Sequence, residues 1–316
     1  MKYLDFEKPI ADLASKVQEL RSLGDGGDGA GINDEATKLE TKADQALADI
    51  YSKLTPWQKT LVARHPDRPH FSHYAKALIE DFTPLAGDRK FSDDEAIIAG
   101  IGRFRGQSVA VMGHERGHDT ESRIRHNFGS ARPEGYRKAT RIMEMADKFS
   151  LPIISLIDTS GAYPGVGAEE RGQAEAIARS TDACLALGVP NIAVIVGEGG
   201  SGGAIAIATC NSVMMLEYAI YSVISPEGAA SILWRDSARA QDAASTMKIT
   251  ADDLLQLGVI DEIIDEPIGG AHREPAQTIH QVGNAIEASL QELSGLSADQ
   301  LRKHRRDRFL DIGKNL

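Results

Sequence analysis

Apolar positions in the first fifty residues recur at helical spacing. In DFEKPIADLASKVQEL (residues 5–20) and DEATKLETKADQALADIYSKL (34–54) they share one face, and the Gly/Asp-rich GDGGDGAG (24–31) interrupts the pattern. This predicts a helical hairpin, a unit that more often serves assembly than chemistry. Thr55-Pro56 offers an N-cap and a first-turn proline for a third helix, PWQKTLVAR (56–64).

Beyond about residue 92 short apolar runs take over. AIIAGIGRF (96–104) and QSVAVMG (107–113) flank a tight Arg105-Gly106 turn and read as paired strands. A helix, PEGYRKATRIMEMADKF (133–149), precedes the strand LPIISLID (151–158), which ends in the glycine-rich TSGAYPGVG. The next helix is AEERGQAEAIARSTDACLAL (168–187), with Gly188 in its C-terminal cap position. NIAVIV (191–196) is a strand, and a second glycine-rich turn opens the helix GGAIAIATC (202–210). SVMMLE (212–217) and AIYSVIS (219–225) are further strands, followed by a helix at PEGAASILW (226–234). Thr250 and Asp253 form a helix-start pair, GVIDEIID (258–265) is a last strand, and helices follow Pro275. Strand, strand, helix, repeated, predicts an α/β body with buried strands. The expected division is a helical N-terminal region over 1–91 and an α/β domain with C-terminal helices over 92–316.

The net charge of −11 argues against nucleic acid or an anionic membrane as partner, since both would be repelled. No apolar run approaches the ~18 residues needed to span a bilayer. The opening MKYLDFEKPIADLASK has no apolar signal core, so the expected compartment is cytoplasmic. Cys184 and Cys210 lack metal-ligand neighbours, which leaves no basis for a cysteine zinc site or a disulfide framework. The basic RKHRRDRF (302–309) reads as a solvated face.

Several motifs compete. Gly197-x-Gly199-x-x-Gly202, with Glu217 downstream, fits a nicotinamide-dinucleotide fingerprint, yet such a turn normally opens its domain and this one follows two strand units. Gly199-x-Ser201-x-Gly203 fits a hydrolase elbow, for which Asp236 or Asp261 and His272 or His280 are possible partners. His114-Glu115-x-x-His118 has metalloprotease spacing, but Gly113 and Gly117 make a solvated loop the better reading than a helix. His70 and His73 lack a third ligand, and Lys248, in a Met-Lys pair like that of biotin carriers, reads as a helix end. A non-catalytic scaffold subunit is a further alternative.

Another chemistry uses both glycine-rich turns, DTSGAYPGVG (158–167) and GEGGSGGA (197–204), each between a strand and a helix. Glycine lets the backbone turn sharply and bares N–H groups, and a helix N-terminus adds partial positive charge. Such a site suits a developing oxyanion and requires no nucleophile, metal or titrating side chain.

DTSGAYPGVGAEERGQAEAIARS, GEGGSGGAIAIA, YSVISPEGAASILW, PIGGAHR and RPEGYRKA together resemble the carboxyltransferase alpha subunits of bacterial acetyl-CoA carboxylase, in order and across nearly the whole chain. Ser160 departs from the family's usual proline, and GHERGHDT from a loop that often carries Lys and a second Arg. The resemblance implies a crotonase-like spiral of repeated β-β-α units with a helical N-terminal extension and C-terminal helices. It implies transfer of a carboxyl group from carboxybiotin, held on a separate carrier, to acetyl-CoA, giving malonyl-CoA. A beta subunit with its own zinc ribbon would bind acetyl-CoA in an alpha2 beta2 assembly, joined by biotin carboxylase and the biotin carboxyl carrier protein; no metal is expected on this chain. Gly202 and Gly203 would supply amides to an oxyanion on the biotin side, and Gly161 and Ala162 would complete the wall. Tyr163, Pro164 and Gly165 would shape the pocket together with Gly199, Gly200 and Ser201, the serine serving as a turn residue.

Overall fold

The computed structural model describes residues 2–24 and 29–314. Helices α1 (Lys8–Gly24) and α2 (Gly29–Tyr51) pack on each other, joined across by an Arg21–Glu40 ion pair. Residues 25–28 of the expected connector lie outside the described residues. The hairpin is fastened to the body through Glu7, whose carboxylate is fully buried. It accepts from Leu4 N–H (2.8 Å), Tyr51 hydroxyl (3.0 Å) and Arg273 (2.9 Å). Helix α3 (Pro56–Ala63) starts on a reciprocal box: Gln58 N–H donates to Thr55 Oγ1, and Thr55 N–H to Gln58 Oε1.

Two elements of the first 91 residues escape the hydrophobic pattern, α4 (Phe71–Leu78) and β1 (Ile79–Pro84). Strand β1, IEDFTP, buries only its first residue, because it lies at the sheet edge. It pairs antiparallel with β2 (Ile97–Phe104), which turns through Arg105-Gly106 into β3 (Gln107–His114). The sheet therefore begins upstream of residue 92.

After α5 (Thr120–Arg125) and α6 (Pro133–Lys148) the remaining pairings are parallel. Strand β4 (Ile153–Thr159) lies between β3 and β5 (Asn191–Gly200), and every residue of both β4 and β5 is buried. This double-sided burial explains their unbroken apolar runs. Strand β5 serves two neighbours: Ile192–Ile195 pair with β6 (Ser212–Leu216), and Glu198–Gly200 pair with β7 (Ile220–Ser222). The sheet thus changes direction at Val196-Gly197, as a spiral requires. Strand β8 (Glu262–Ile264) closes the other edge against β6.

Between β4 and β5 the single expected helix is two, α7 (Val166–Glu170) and α8 (Gln173–Ala186), separated by Gly172 at φ +79°. Gly188 follows α8, but not as a left-handed cap. A Cβ there would approach Arg302 Nη2 to 2.8 Å and Ala298 Cβ to 2.9 Å, so a later helix is what demands the glycine. Helix α9 (Ser201–Ala208) follows β5 directly. Helices α10 (Pro226–Trp234), α11 (Ala240–Thr246) and α12 (Ala251–Gln256) precede β8, and α13 (Pro275–Leu293) and α14 (Ala298–Asp311) end the chain. Thr250 caps α12 as expected, accepting from Asp253 N–H.

The basic run on α14 is not merely solvated. Arg305 is fully buried and donates to the carbonyls of Leu185, Leu187 and Val189 and to the Asn191 and Asn211 side chains. Arg308 pairs with Asp261 at 2.8 Å.

Candidate active site

The two glycine-rich turns meet. Thr159 at the end of β4 pairs with Gly199 of β5, so the chain leaves both strands side by side. A Cβ on Gly200 would lie 2.3 Å from the Ser160 carbonyl carbon and oxygen. A Cβ on Gly203 would lie 2.8 Å from Ala162 N and 2.9 Å from Gly161 C, with the Tyr136 hydroxyl at 3.1 Å. No side chain beyond hydrogen fits at either position, so glycine is what permits main chain to pack on main chain here. By contrast, a Cβ on Gly202 would meet only Ile177, at 3.4 Å.

The amides divide by what they already bond. Gly161, expected to complete the wall, donates its N–H to Thr159 Oγ1 (3.0 Å). Its contribution is conformational: φ is +142°, open to glycine alone. Tyr163 N–H donates to Ala131 O (2.9 Å). Ala162, half-buried between them, has no partner for its N–H among the described residues. The N–H groups of Gly202 and Gly203 belong to the first turn of α9, where no carbonyl stands one turn back within the helix. Gly202 is half-buried and Gly203 is buried against the first turn.

Around them, the Tyr163 ring carries the Arg132 guanidinium 4.6 Å above its centre. That ring lies so close to Gly165 that a Cβ there would approach it to 2.2 Å, while Pro164 is exposed. One turn along α9, Ile205 borders a cavity of about 450 Å³ with Tyr221, Val223, Ile224, Met247 and Leu254. Val166 and Val223 beside the turns are each 76% exposed. Beneath the turns, His114 is fully buried, and burial pushes its imidazole down to about 4.

The competing motifs come apart in three dimensions. Gly197 is filled by Asp158, whose Oδ1 would lie 2.5 Å from a Cβ, and Gly199 by the Tyr221 ring at 2.8 Å; neither faces a pyrophosphate. Glu217 accepts from Glu266 N–H. Ser201 does sit at a strand-to-helix turn with φ +54°, as an elbow would. Its supposed partners are occupied elsewhere: Asp261 with Arg308 and Val213 N–H, His272 stacked on His65 at 3.6 Å, His280 beside Asn284, and Asp236 capping Ala238. His114 closes β3 while His118 is exposed in the following loop, so the metalloprotease pair shares no helix. That loop is only partly solvated, since Glu115 is buried and accepts from Ser72 and Gly117 N–H. No group of three metal-ligating side chains occurs among the described residues. Lys248 follows α11 at φ +55° and pairs with Asp253.

Sequence reasoning missed a buried charged network behind the turns. Arg64 holds Glu198 through two bonds (2.6 and 3.1 Å) and also Glu227 (2.6 Å). Arg116 reaches Asp158 (3.2 Å) and Glu198 (3.5 Å), and His70 Nδ1 contacts the other Asp158 oxygen (3.1 Å). Burial would raise the Asp158 carboxyl, but Arg116 and His70 outweigh it and hold the group well below the usual carboxylate range. Its one signal in the sequence was acidic residues inside both glycine motifs.

A sheet that turns within β5 and sets two glycine-rich turns against each other at a helix N-terminus defines a crotonase-like fold. The fold recurs in a Pseudomonas malonate decarboxylase hetero-tetramer chain (TM-score 0.60, 17% identity, 75% of this chain and 94% of that one). It recurs again in transcarboxylase 12S (TM-score 0.57, 20% identity), where the match covers 71% of this chain and 42% of the other. Residues 3–313 match the family described as acetyl co-enzyme A carboxylase carboxyltransferase-like, and the chain belongs to that family. The acetyl-coenzyme A carboxylase carboxyl transferase subunit alpha of Xanthobacter autotrophicus is 69% identical over 314 residues, 99% of each chain.

Proposed function

We infer that this chain is the alpha subunit of an acetyl-CoA carboxylase carboxyltransferase, which passes a carboxyl group from carboxybiotin on a carrier protein to acetyl-CoA and yields malonyl-CoA. The observation that carries the reading is the contact of the two glycine-rich turns at the start of α9, in a chain matched end to end by relatives of that name. When bound, carboxybiotin supplies the carboxyl group. The chain's own part is electrostatic: the amides of Gly202, Gly203 and Ala162 face an oxygen that gains negative charge during transfer, each fixed donor being worth about 2.7–4 kcal/mol. Gly161 holds the wall in shape, Gly199 and Gly200 let the turns touch, and Tyr163, Pro164 and Gly165 border the entry. Ser201 turns the chain and attacks nothing.

A beta subunit completes the site and holds acetyl-CoA, in an alpha2 beta2 core served by biotin carboxylase and the carrier protein. The exposed Val166 and Val223 beside the turns support a covering partner, because apolar side chains gain by leaving water. No described helix is long and apolar enough to cross a membrane.

The test is malonyl-CoA decarboxylation with free biotin as acceptor. The chain alone is expected to be inactive and the complex with its beta partner active. Gly203→Val, in a complex that still assembles, is expected to collapse turnover, since its side chain would drive the turns apart. Normal turnover by that variant, activity of the chain alone, or labelling of Ser201 by a fluorophosphonate would overturn the reading.

A further inference from the structure

We propose that Arg116 is a positioning residue that ties the root of one glycine-rich turn to the root of the other, and so sets the spacing of the amides above them. The proposal rests on the oxyanion reading of the turns and adds a residue that does not touch the reacting atoms.

The register of β4 against β5 breaks between Ile157 and Thr159, which drops Asp158 out of the regular ladder. Its carboxylate turns toward β5 instead. Oδ1 accepts the Glu198 N–H at 3.1 Å, in space left by the missing side chain of Gly197. This brings two acidic side chains, both 3% exposed, to the ends of neighbouring parallel strands. Arg116 Nη1 stands between them, 3.2 Å from Asp158 Oδ1 and 3.5 Å from Glu198 Oε2. Two residues beyond Asp158 is Ser160, and two beyond Glu198 is Gly200; these are the residues whose main chains touch. A clamp on the acidic pair is therefore a clamp one dipeptide below the turn contact.

No other cation can stand in. Arg64 is bonded to Glu198 and Glu227, and Arg68 is committed to Glu266 through two bonds (2.6 and 2.7 Å). The other polar groups facing Asp158 are His70 from the start of α4, His114 from β3 and the Tyr74 hydroxyl from α4. Without Arg116, Glu198 keeps its bonds from Arg64 but Asp158 keeps only His70, and no cation bridges the two carboxylates in their low-dielectric site. Either they separate, which pulls the turns apart, or one takes up a proton.

The experiment measures kcat and KM against pH for the complex with the beta partner, comparing Arg116→Met, Arg116→Lys and Arg116→Met with Asp158→Asn. Arg116→Met is expected to lose about 10²-fold in kcat, the penalty for misplacing catalytic groups by about 1 Å, while KM for malonyl-CoA stays near the parent value. Its remaining kcat should be higher at low pH than at high pH, because a proton on Asp158 relieves its repulsion with Glu198. Arg116→Lys should recover part of the loss, because both contacts are made by one nitrogen, Nη1, whose place the ammonium of a shorter side chain reaches only in part. The double variant, with one charge removed from the pair, should recover part as well. A normal kcat for Arg116→Met or Arg116→Lys beside an inactive Gly203→Val overturns the clamp but leaves the turns in place. Normal activity of Gly203→Val removes the turn reading itself. A loss in Arg116→Met that is equal at every pH and untouched by Asp158→Asn also overturns the proposal. If Arg116→Met fails to assemble, Arg116→Lys decides: a fall in kcat with KM unchanged supports the clamp, and parent kinetics reject it.

Discussion

Ser201 adopts φ +54°, a left-handed backbone that costs a residue with a side chain about 1–3 kcal/mol and that often marks a functional turn. The strain aims the chain from β5 into α9; it activates no hydroxyl, because no imidazole or carboxylate reaches that oxygen among the described side chains. Ser201→Ala is therefore expected to keep most of the complex's turnover, and abolition would return the hydroxyl to the mechanism. Gly200 and Gly203 were legible as glycines in a suspicious pattern, but their reason was not. It lies in Ser160, Gly161 and Ala162, some forty residues earlier, which press on them. The Asp158–Arg116–Glu198 group was less legible still, because no local spacing relates residues 42 and 82 positions apart.

At the scale of elements, α14 shows how one buried cation can organise several segments. All the polar edges of Arg305 are spent on neutral acceptors from the end of α8, the start of β5 and the turn before β6. Removing it leaves the carbonyls of Leu187 and Val189 short of a donor at a buried junction, and that of Leu185 at its margin. Arg305→Met is expected to lower stability by about 3 kcal/mol or more, read as a lower urea midpoint with unchanged slope. A loss below about 1 kcal/mol would mean the carbonyls find other donors. Gly188 belongs to the same junction, where α8 and α14 approach closely. A composition rule reads RKHRRDRF as surface; tertiary packing buries one arginine of the run.

For the whole molecule, a histidine pair beneath the N-terminal segment is expected to make stability depend on pH. His65 bonds the Lys2 carbonyl (2.9 Å) and stacks on His272 at 3.6 Å, next to Arg68 and Arg273. Burial first, then the charge of His65 and the two arginines, pushes His272 down to about 3, and burial also lowers His65. Folding therefore favours the neutral form of both rings, whereas free imidazoles titrate near 6.5. The unfolded chain thus binds more protons, so this contribution to stability is intact above about pH 6.5 and is lost as pH falls toward about 3. The melting temperature is expected to drop on acidification in this window, with a shallower slope in His272→Leu; equal slopes would place the sensitivity elsewhere. Asp158 acts in the same direction, but only once carboxylates begin to protonate, near 4 and below in the unfolded chain.

Hydrophobic period and glycine placement by themselves determined the helical hairpin, the buried strands β4, β5 and β6, and the two turns that follow β4 and β5, because these depend on neighbours within a few residues. Those same motifs, read in order, determined the family. Only the tertiary structure decided that β1 joins the sheet, that Gly161 spends its amide on Thr159 while Ala162 does not, and that Arg64 and Arg116 balance the acids beneath the turns. An edge strand carries a weak hydrophobic signal, and a hydrogen bond or an ion pair depends on distances that close only when remote segments pack.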